Sequence, residues 1–174
     1  MNPSAARLRC LGAVVVAALA FTGCARSDAA PVKAVPGQAV KAVEILNLPA
    51  DLLGLKIAPE DVTEDLAKVP STFIDGLSLY SLRHNDLVMA TLQISRFTDG
   101  ADVNADKFRQ TVVNQIGSTT PKQVRLGAET VYLTTGTKQT IGVWFKGRYL
   151  FVLATRADYA TPRTLLRQAL EVQP

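Results

Sequence analysis

The strongest pattern of apolar and polar positions lies in residues 139–156. Two apolar runs meet there at Lys146-Gly147, which suits the two-residue turn of a β-hairpin. That turn predicts that Trp144 lies opposite Tyr149. One predicted face carries Ile141, Val143, Leu150 and Val152, and the other carries Trp144, Tyr149, Phe151 and Leu153. Because both faces are apolar, we expect this hairpin in the middle of a sheet, covered on each side.

Residues 74–97 predict a second hairpin, with polar turn residues at 83–86. Its second strand alternates regularly between two faces. The first face carries Val88, Ala90, Leu92 and Ile94, and the second carries Met89, Thr91, Gln93 and Ser95. Since the second face is mostly polar, the pattern predicts a half-buried antiparallel strand.

Two helices follow from apolar spacing of three and four residues. The helix over 105–116 has the stripe Phe108, Val112, Val113 and Ile116, and the last helix has the stripe Leu165, Leu166, Ala169 and Leu170. Asn104 and Gly117 suit the two ends of the first helix, and Thr161-Pro162 suits the start of the second. Weaker signals predict a helical turn over 48–55, after an extended lead-in or short strand over 43–48, and a helix from near Pro59 to Pro70.

These elements predict an α+β fold. We expect a mainly antiparallel sheet of about five to six strands, with two principal helices packed on it. Residues 122–126 and 129–134 supply the remaining strands. From residue 74 onward, this element order resembles the Mog1/PsbP-like fold of small actinobacterial lipoproteins. The resemblance implies a fold only, because no motif in this region allows a functional residue to be transferred.

The N-terminal residues predict export. Arg7 and Arg9 precede an apolar run over 11–21, which is too short to span a bilayer as a helix. The run ends in Phe21-Thr22-Gly23-Cys24, which resembles a bacterial lipobox, with Phe21 where that family prefers Leu. The resemblance implies that the signal 1–23 is removed and that the Cys24 thiol carries a diacylglyceryl group. It also allows acylation of the new amino terminus, with a chain such as palmitate.

Three alternatives stay open for this segment: ordinary cleavage after Ala20 at Ala18-Leu19-Ala20, an uncleaved anchor, and a buried helix. The lipobox interpretation divides the chain into the signal 1–23, a flexible tether 24–42 and a single domain 43–174. It places the protein on the extracytoplasmic face of the cell membrane. Because the cysteines are Cys10 and Cys24, the folded domain contains no disulfide.

Charge is divided unevenly along the chain. Residues 51–106 contain ten acidic and four basic residues, and residues 107–174 contain ten basic and three acidic residues. The two halves either pair across the fold or leave a basic surface toward anionic lipid or cell-wall polymer. The basic residues are scattered rather than clustered in a stripe, so we expect no nucleic-acid partner.

Candidate catalytic chemistry is sparse. His84, the one histidine, lies in a predicted turn, and no G-x-S-x-G, P-loop or zinc-ligand spacing occurs. The paired carboxylates Glu64-Asp65 and Asp99 with Asp102 lie at predicted surface positions. Asp99, Asp102 and Asp106 together do not follow the EF-hand pattern of calcium ligands. We therefore predict no enzyme activity, no cofactor and no metal.

Two further sets of residues suggest binding. Arg163 and Arg167, four apart on the last helix, suit contact with an anionic partner or a solvated face. Trp144 and Tyr149 suit core packing or a ligand platform.

We predict a non-catalytic envelope lipoprotein that contacts an envelope protein or cell-wall component. The alternative is a carrier of a lipid or other hydrophobic ligand in a pocket between sheet and helices. The sequence leaves the oligomeric state open.

Overall fold

The computed structural model describes residues 41–45, 47–61 and 74–174. The signal peptide, residues 24–40 of the tether and most of the helix expected before Pro70 therefore lie outside the described residues.

The described residues form one antiparallel sheet of eight strands. Its strands are β1 (Asp51–Leu52), β2 (Leu55–Glu60), β3 (Ile74–His84), β4 (Leu87–Phe97), β5 (Lys122–Leu126), β6 (Glu129–Gly136), β7 (Gln139–Lys146) and β8 (Tyr149–Arg156). Their spatial order is β1-β2-β3-β4-β8-β7-β6-β5. The predicted α+β class and antiparallel sheet are confirmed, but the predicted strand number of about five to six is wrong.

The two described helices, α1 (Asp106–Ile116) and α2 (Pro162–Ala169), lie on opposite faces of this sheet. The α1 face has a core that includes Val112, Val113, Ile116, Ile141, Val143, Leu150 and Val152. The α2 face has a core that includes Leu82, Leu92, Trp144, Phe151, Leu153, Leu165 and Leu166. The structure is therefore three layers deep, with apolar side chains filling both interfaces.

The β7–β8 hairpin occupies the middle of the sheet and is buried on both faces, as its sequence predicts. Its register is not the predicted one. The two turn residues are Gly147 and Arg148, and Gly147 has a φ of 55°, the positive value that a type II′ turn places at its first central residue. Trp144 therefore lies opposite Phe151, with stacked rings 5.2 Å apart. Trp144 is fully buried, so it is a core residue and no ligand platform.

Strand β4 is buried on both faces, so the prediction of a half-buried strand is wrong. Its polar face carries Thr91, Gln93 and Ser95, which are 4%, 1% and 0% exposed. The Gln93 Nε2 donates a hydrogen bond to Ser95 Oγ at 3.0 Å. The alternation correctly separated the two faces, but it does not reveal whether the polar face is covered.

The predicted helical turn over 48–55 is wrong, since these residues lead into the β1–β2 hairpin. Its turn residues Leu53 and Gly54 have φ values of 52° and 72°, the positive pair that a type I′ turn requires. Pro59 lies in β2 rather than at a helix start, opposite Tyr80 of β3. On its other side, β2 pairs with β1 only at Leu55 and Lys56. Pro59 lies beyond this pairing, so its missing N–H removes no hydrogen bond between β1 and β2.

The helix ends differ in detail from the prediction. The N-cap of α1 is Ala105 rather than Asn104, whose Oδ1 instead accepts a hydrogen bond from Arg109 Nη2 at 3.4 Å. Gly117 is the C-cap, but its backbone is extended rather than left-handed. A Cβ at Gly117 would lie 2.1 Å from Thr134 Oγ1, so this glycine allows a close approach of α1 to β6.

The described part of the chain before β1 is bound to the edge of β3. Lys41 forms a parallel bridge with Gly76, through Lys41 N to Asp75 O at 3.1 Å and Leu77 N to Lys41 O at 2.8 Å. Val43 bonds to the Ser78 hydroxyl through both its N–H, at 2.9 Å, and its carbonyl, at 3.1 Å. Residues 42–45 form no strand, as the extended lead-in predicts.

Candidate ligand-binding site

A pocket of about 240 Å³ lies between the N-terminal half of α2 and the sheet. Its described lining comes from three neighbouring strands and the helix: Leu133 of β6, Thr140 and Gly142 of β7, Leu153 and Thr155 of β8, and Pro162, Arg163 and Leu166 of α2. Leucine and proline side chains form most of the wall. Two hydroxyls and one guanidinium supply its polar groups.

The floor of the pocket depends on the register of β6, β7 and β8. Gly142 lies between Leu133 and Leu153, and Thr140 lies directly opposite Thr155. Residues paired in this way point to the same face of the sheet. The floor is therefore apolar in the centre and polar at the end where β7 begins and β8 finishes.

Gly142 sets the depth at which α2 packs. A Cβ at this position would lie 2.9 Å from Leu166 Cδ1 and 3.2 Å from Leu166 Cδ2. Without the side chain, Leu166 rests directly over the backbone of β7. This contact fixes one wall of the pocket.

The roof of the pocket is the first turn of α2. Thr161 is the N-cap and Pro162 the first helical residue, as their sequence predicts. The Thr161 side chain makes no cap hydrogen bond, so the free N–H groups of this turn have no side-chain acceptor. The positive end of the helix dipole therefore lies at the pocket.

The polar groups of the pocket have no partners among the described residues. Thr155 is 2% exposed, yet its hydroxyl makes no hydrogen bond there. The half-buried Thr140 hydroxyl makes none either, and the exposed Arg163 forms no ion pair with the described part of the chain. By contrast, the buried Thr134 hydroxyl donates to Thr119 O at 2.8 Å. The pocket thus presents unused hydrogen-bond donors and one positive charge.

The structure separates the two arginines that the sequence grouped together. Arg163 lines the pocket, whereas Arg167 is exposed and is not part of the pocket lining. Neither forms an ion pair with a described residue. Cys24, the predicted lipidation site, lies outside the described residues.

Thr140 and Thr155 were missed by the sequence argument. The predicted turn at Lys146-Gly147 would place Leu153 opposite Thr140. The observed turn at Gly147-Arg148 places Thr155 there instead. The sequence shows a threonine near the outer end of each strand of the hairpin. Only the correct register shows that these two threonines lie opposite each other.

A second cavity, of about 360 Å³, lies at the C-terminal end of α2. Its described lining is Asn47, Pro49, Asp51, Leu52, Gln168, Glu171 and Val172. Several of its polar groups already hold the structure together. Asn47 bonds to Glu171 O at 3.2 Å and to Gln173 N at 2.5 Å, and Gln168 Oε1 accepts from Leu53 N at 2.9 Å. This cavity therefore offers fewer unused groups than the pocket beneath the N-terminal half of α2.

Lys146 joins β7 to the chain that follows α2. Its Nζ donates hydrogen bonds to Leu170 O and, at 3.0 Å, to Val172 O, and it lies 5.9 Å from the centre of the Phe151 ring. Burial lowers the pKa of Lys146 below its usual 10.5, although Glu129 and Glu171 act in the opposite direction. These contacts hold the chain that follows α2 against β7, so we assign Lys146 a structural role.

The predicted pairing of the two oppositely charged halves is seen at Arg148 among the described residues. Arg148 contacts Asp99 and reaches Asp75 Oδ2 at 3.5 Å. Asp75 also accepts from Arg96 Nε at 2.5 Å, and this contact raises the pKa of Arg96. The network joins the start of β3 to the end of β4 and the β7–β8 turn.

The other candidate catalytic groups do not assemble in the described residues. His84 is exposed at the end of β3, and neither a serine hydroxyl nor a carboxylate of that part of the chain bonds to it. Asp106 begins α1, and Glu64 and Asp65 lie outside the described residues. Over 41–45, 47–61 and 74–174, no group of three or more His, Cys, Asp or Glu side chains is arranged to hold a metal ion.

The chain was compared with family models, curated proteins and solved structures, and none of them matches it. Neither α1 nor α2 is long and apolar enough to span a membrane, and the described residues contain no other candidate span.

Proposed function

We propose that this chain is an exported lipoprotein, held on the extracytoplasmic face of the cell membrane through Cys24, whose domain binds a ligand or partner without catalysis. The observation that carries the anchor is the sequence from Arg7 to Cys24, with its short apolar run and terminal lipobox. Two acyl chains would make the attachment stable, whereas one alone binds a membrane reversibly.

The hydrogen bonds of Lys41 and Val43 to β3 support the proposed division between tether and domain. These contacts begin where the proposed tether 24–42 ends. A lipid at Cys24 would then lie 17 residues before Lys41, with the domain following it toward the solvent. The order from β3 to α2, with two strands, a helix, four strands and a helix, supports a Mog1/PsbP-like fold.

The pocket beneath α2 supports a binding role over a catalytic one. Its described polar groups are the Thr140 and Thr155 hydroxyls and the Arg163 guanidinium. Carboxylates, imidazoles and thiols, which serve as general bases or nucleophiles, do not occur among its described lining residues. Hydroxyls and a guanidinium without partners suit the recognition of a bound group.

Replacement of the proposed lipidated cysteine tests the anchor. Cys24→Ser is expected to accumulate with its signal uncleaved and to carry no fatty acid, because the modified sulfur is absent. Cys10→Ser is the matched control, since it removes the other cysteine from within the signal, and it should behave as the unmodified chain. Intact mass and labelling with a fatty acid, measured on membrane fractions, distinguish the two. A Cys24→Ser protein that is processed normally and still fractionates with membranes would refute the anchor.

A photoreactive amino acid at Arg167, on the exposed side of α2, tests for a macromolecular partner in living cells. The matched position is Asp86, in the exposed β3–β4 turn. A specific adduct from position 167 alone supports a protein or cell-wall partner at α2. Equal labelling from both positions, or no specific adduct, counts against such a partner.

A carrier of a hydrophobic ligand is the second candidate, and the leucines around the pocket favour it. The volume of about 240 Å³ lies below the 300–1,000 Å³ typical of drug-sized ligands, so a small ligand fits better than a complete lipid. Mass spectrometry of an organic extract of the purified protein tests this function. A stoichiometric lipid in the extract would support a lipid carrier, and its absence would exclude one.

A further inference from the structure

We propose that the pocket beneath α2 binds a small organic monocarboxylate. The carboxylate would meet Arg163 and the threonine hydroxyls, and the apolar body of the ligand would contact the leucines. This inference deepens the proposed binding role and rests on it, but it does not depend on the lipid anchor.

The charge and the hydrogen-bond donors favour a carboxylate. A guanidinium binds the two oxygens of a carboxylate through parallel hydrogen bonds. Arg163 has no acidic partner in the described residues. In the loop before α2, Asp158 is already held by Arg156, with contacts at 2.9 and 2.6 Å. The positive charge of Arg163 is therefore available to a ligand.

Thr155 is the independent observation that points to a ligand. A buried hydroxyl normally has a hydrogen-bond partner, since burial without one costs stability. Thr155 is 2% exposed, lines the pocket and has no such partner among the described residues. Its oxygen is not among the fully enclosed unpaired atoms of the described residues, which are Gln93 Oε1 and Trp144 Nε1, so the hydroxyl keeps access to the pocket. An oxygen of the ligand would accept its hydrogen bond. The Thr140 hydroxyl, directly opposite, would supply a second donor to the same end of the ligand.

Helix α2 adds to the preference for an anion. Its N-terminus carries the positive end of the dipole, and the first turn has no side-chain cap. A carboxylate near Pro162 and Arg163 would be stabilised by both the dipole and the side chain.

The size and the wall of the pocket define the rest of the ligand. The volume of about 240 Å³ equals that of about eight water molecules, at about 30 Å³ each. Leu133, Leu153 and Leu166 favour an organic group over an inorganic ion. Because one guanidinium balances one negative charge, a monoanion suits the pocket better than a phosphate dianion. These properties together describe a short aliphatic or aromatic monocarboxylate.

Calorimetry with the protein extracted in a neutral detergent tests the assignment, with protein-free micelles as the blank. The probes are acetate, butyrate, isovalerate and benzoate, with benzamide as the neutral counterpart of benzoate. We expect at least one of the larger carboxylates to bind at a single site, and benzamide to bind about tenfold or more weakly than benzoate. Binding by none of the four carboxylates would overturn the proposal. Inorganic phosphate binding as tightly as the best carboxylate would also overturn it.

Variants then locate the site. Arg163→Met removes the positive charge and the paired N–H donors and should weaken carboxylate binding about tenfold or more. Thr155→Val removes a single hydroxyl donor and should weaken it about fivefold, and both changes keep most of the side-chain volume. Arg167→Met is the matched control on the same helix and should stay within about twofold of the unmodified protein. Circular dichroism checks that each variant is folded. Unchanged binding in both Arg163→Met and Thr155→Val would refute this location.

The two proposals fail separately. A protein that is lipidated at Cys24 but binds no carboxylate refutes the pocket assignment and leaves the anchored partner-binding role standing. A protein that binds benzoate but is processed without lipid refutes the anchor and leaves the pocket standing.

Discussion

Thr140 and Thr155 lie directly opposite each other on β7 and β8, on the face of the sheet that α2 covers. Neither hydroxyl bonds to a described residue. The two hydroxyls lie side by side at one end of an apolar pocket and together form its polar end. The register of a single hairpin therefore determines whether the pocket has a polar end.

A designed disulfide tests this register. Directly opposed residues of antiparallel strands have Cα atoms about 4.5–5.5 Å apart, within the range that a disulfide spans. We expect Thr140→Cys with Thr155→Cys to form a disulfide readily, and Thr140→Cys with Leu153→Cys to form it poorly. Intact mass with and without reductant reports the bond. Efficient bonding of the second pair alone would contradict the observed register.

The faces of the β7–β8 hairpin were predictable from the sequence, but its register was not. Alternation along a strand has a period of two, and the turns at Lys146-Gly147 and Gly147-Arg148 assign every side chain to the same face. Apolar patterning therefore cannot choose between them. The choice rests on the positive φ of Gly147 at the first turn position.

Among the residues of the candidate site, Arg163 was identified from helical spacing in the sequence. Thr155 could be identified only once the register of the hairpin was known.

Other predictions were wrong where a local sequence pattern is compatible with two different structures. Leu53-Gly54 forms a hairpin turn, although the preceding Pro49 and Asp51 also suit the start of a helix. In β4, Gln93 alternates as a solvent-facing residue would, yet it is 1% exposed. Burial of that face depends on the rest of the fold, and alternation within one strand carries no information about it.

The Thr155 hydroxyl should contribute little to the stability of the free protein. Thr155→Val removes a hydroxyl that has no described partner and keeps access to the pocket, so we expect a change in the free energy of unfolding between about zero and a gain of 1 kcal/mol. The matched variant is Thr134→Val, whose hydroxyl bonds to Thr119 O at 2.8 Å. That change should cost about 1–2 kcal/mol. Urea unfolding measures both, and an equal loss in the two variants would show that Thr155 has a structural partner.

Gly142 should be intolerant of a side chain because of Leu166. Gly142→Ala places a Cβ 2.9 Å from Leu166 Cδ1, and overpacking of this kind costs about 1–3 kcal/mol. Leu166→Val shortens the opposing side chain, so the double variant should lose less stability than the sum of the two single losses. Urea unfolding of all four proteins gives the coupling free energy.

Gly147→Asn is the control for the loss of a glycine itself. Nothing lies within 4 Å of a Cβ at Gly147, but its positive φ is one that residues with a side chain rarely adopt. We expect Gly147→Asn to cost about 1 kcal/mol of unfolding free energy through backbone strain alone, and this cost should not change when Leu166→Val is added. Additive losses at Gly142 and Leu166 would mean that the two residues do not compete for the same space.

Lys146 should stabilise the fold by holding the chain after α2. Lys146→Met keeps most of the aliphatic side chain but removes the donors to Leu170 O and Val172 O. The expected loss of unfolding free energy near pH 7 is about 1–2 kcal/mol. Lys107→Met, on the exposed side of α1, should change it by less than about 0.5 kcal/mol.

The lowered pKa of Lys146 makes its contribution depend on pH. Burial holds the folded pKa below the usual 10.5, so between these two values the unfolded chain binds more protons at this position than the folded chain does. Stability from this site therefore rises with pH across that window and is constant below it, where both states are protonated. We expect the stability advantage of the unmodified protein over Lys146→Met to increase as pH approaches 10.5. Subtracting the two urea-unfolding series cancels the tyrosines and other lysines, and an advantage that is flat or falls with rising pH would contradict the burial of a charged Lys146.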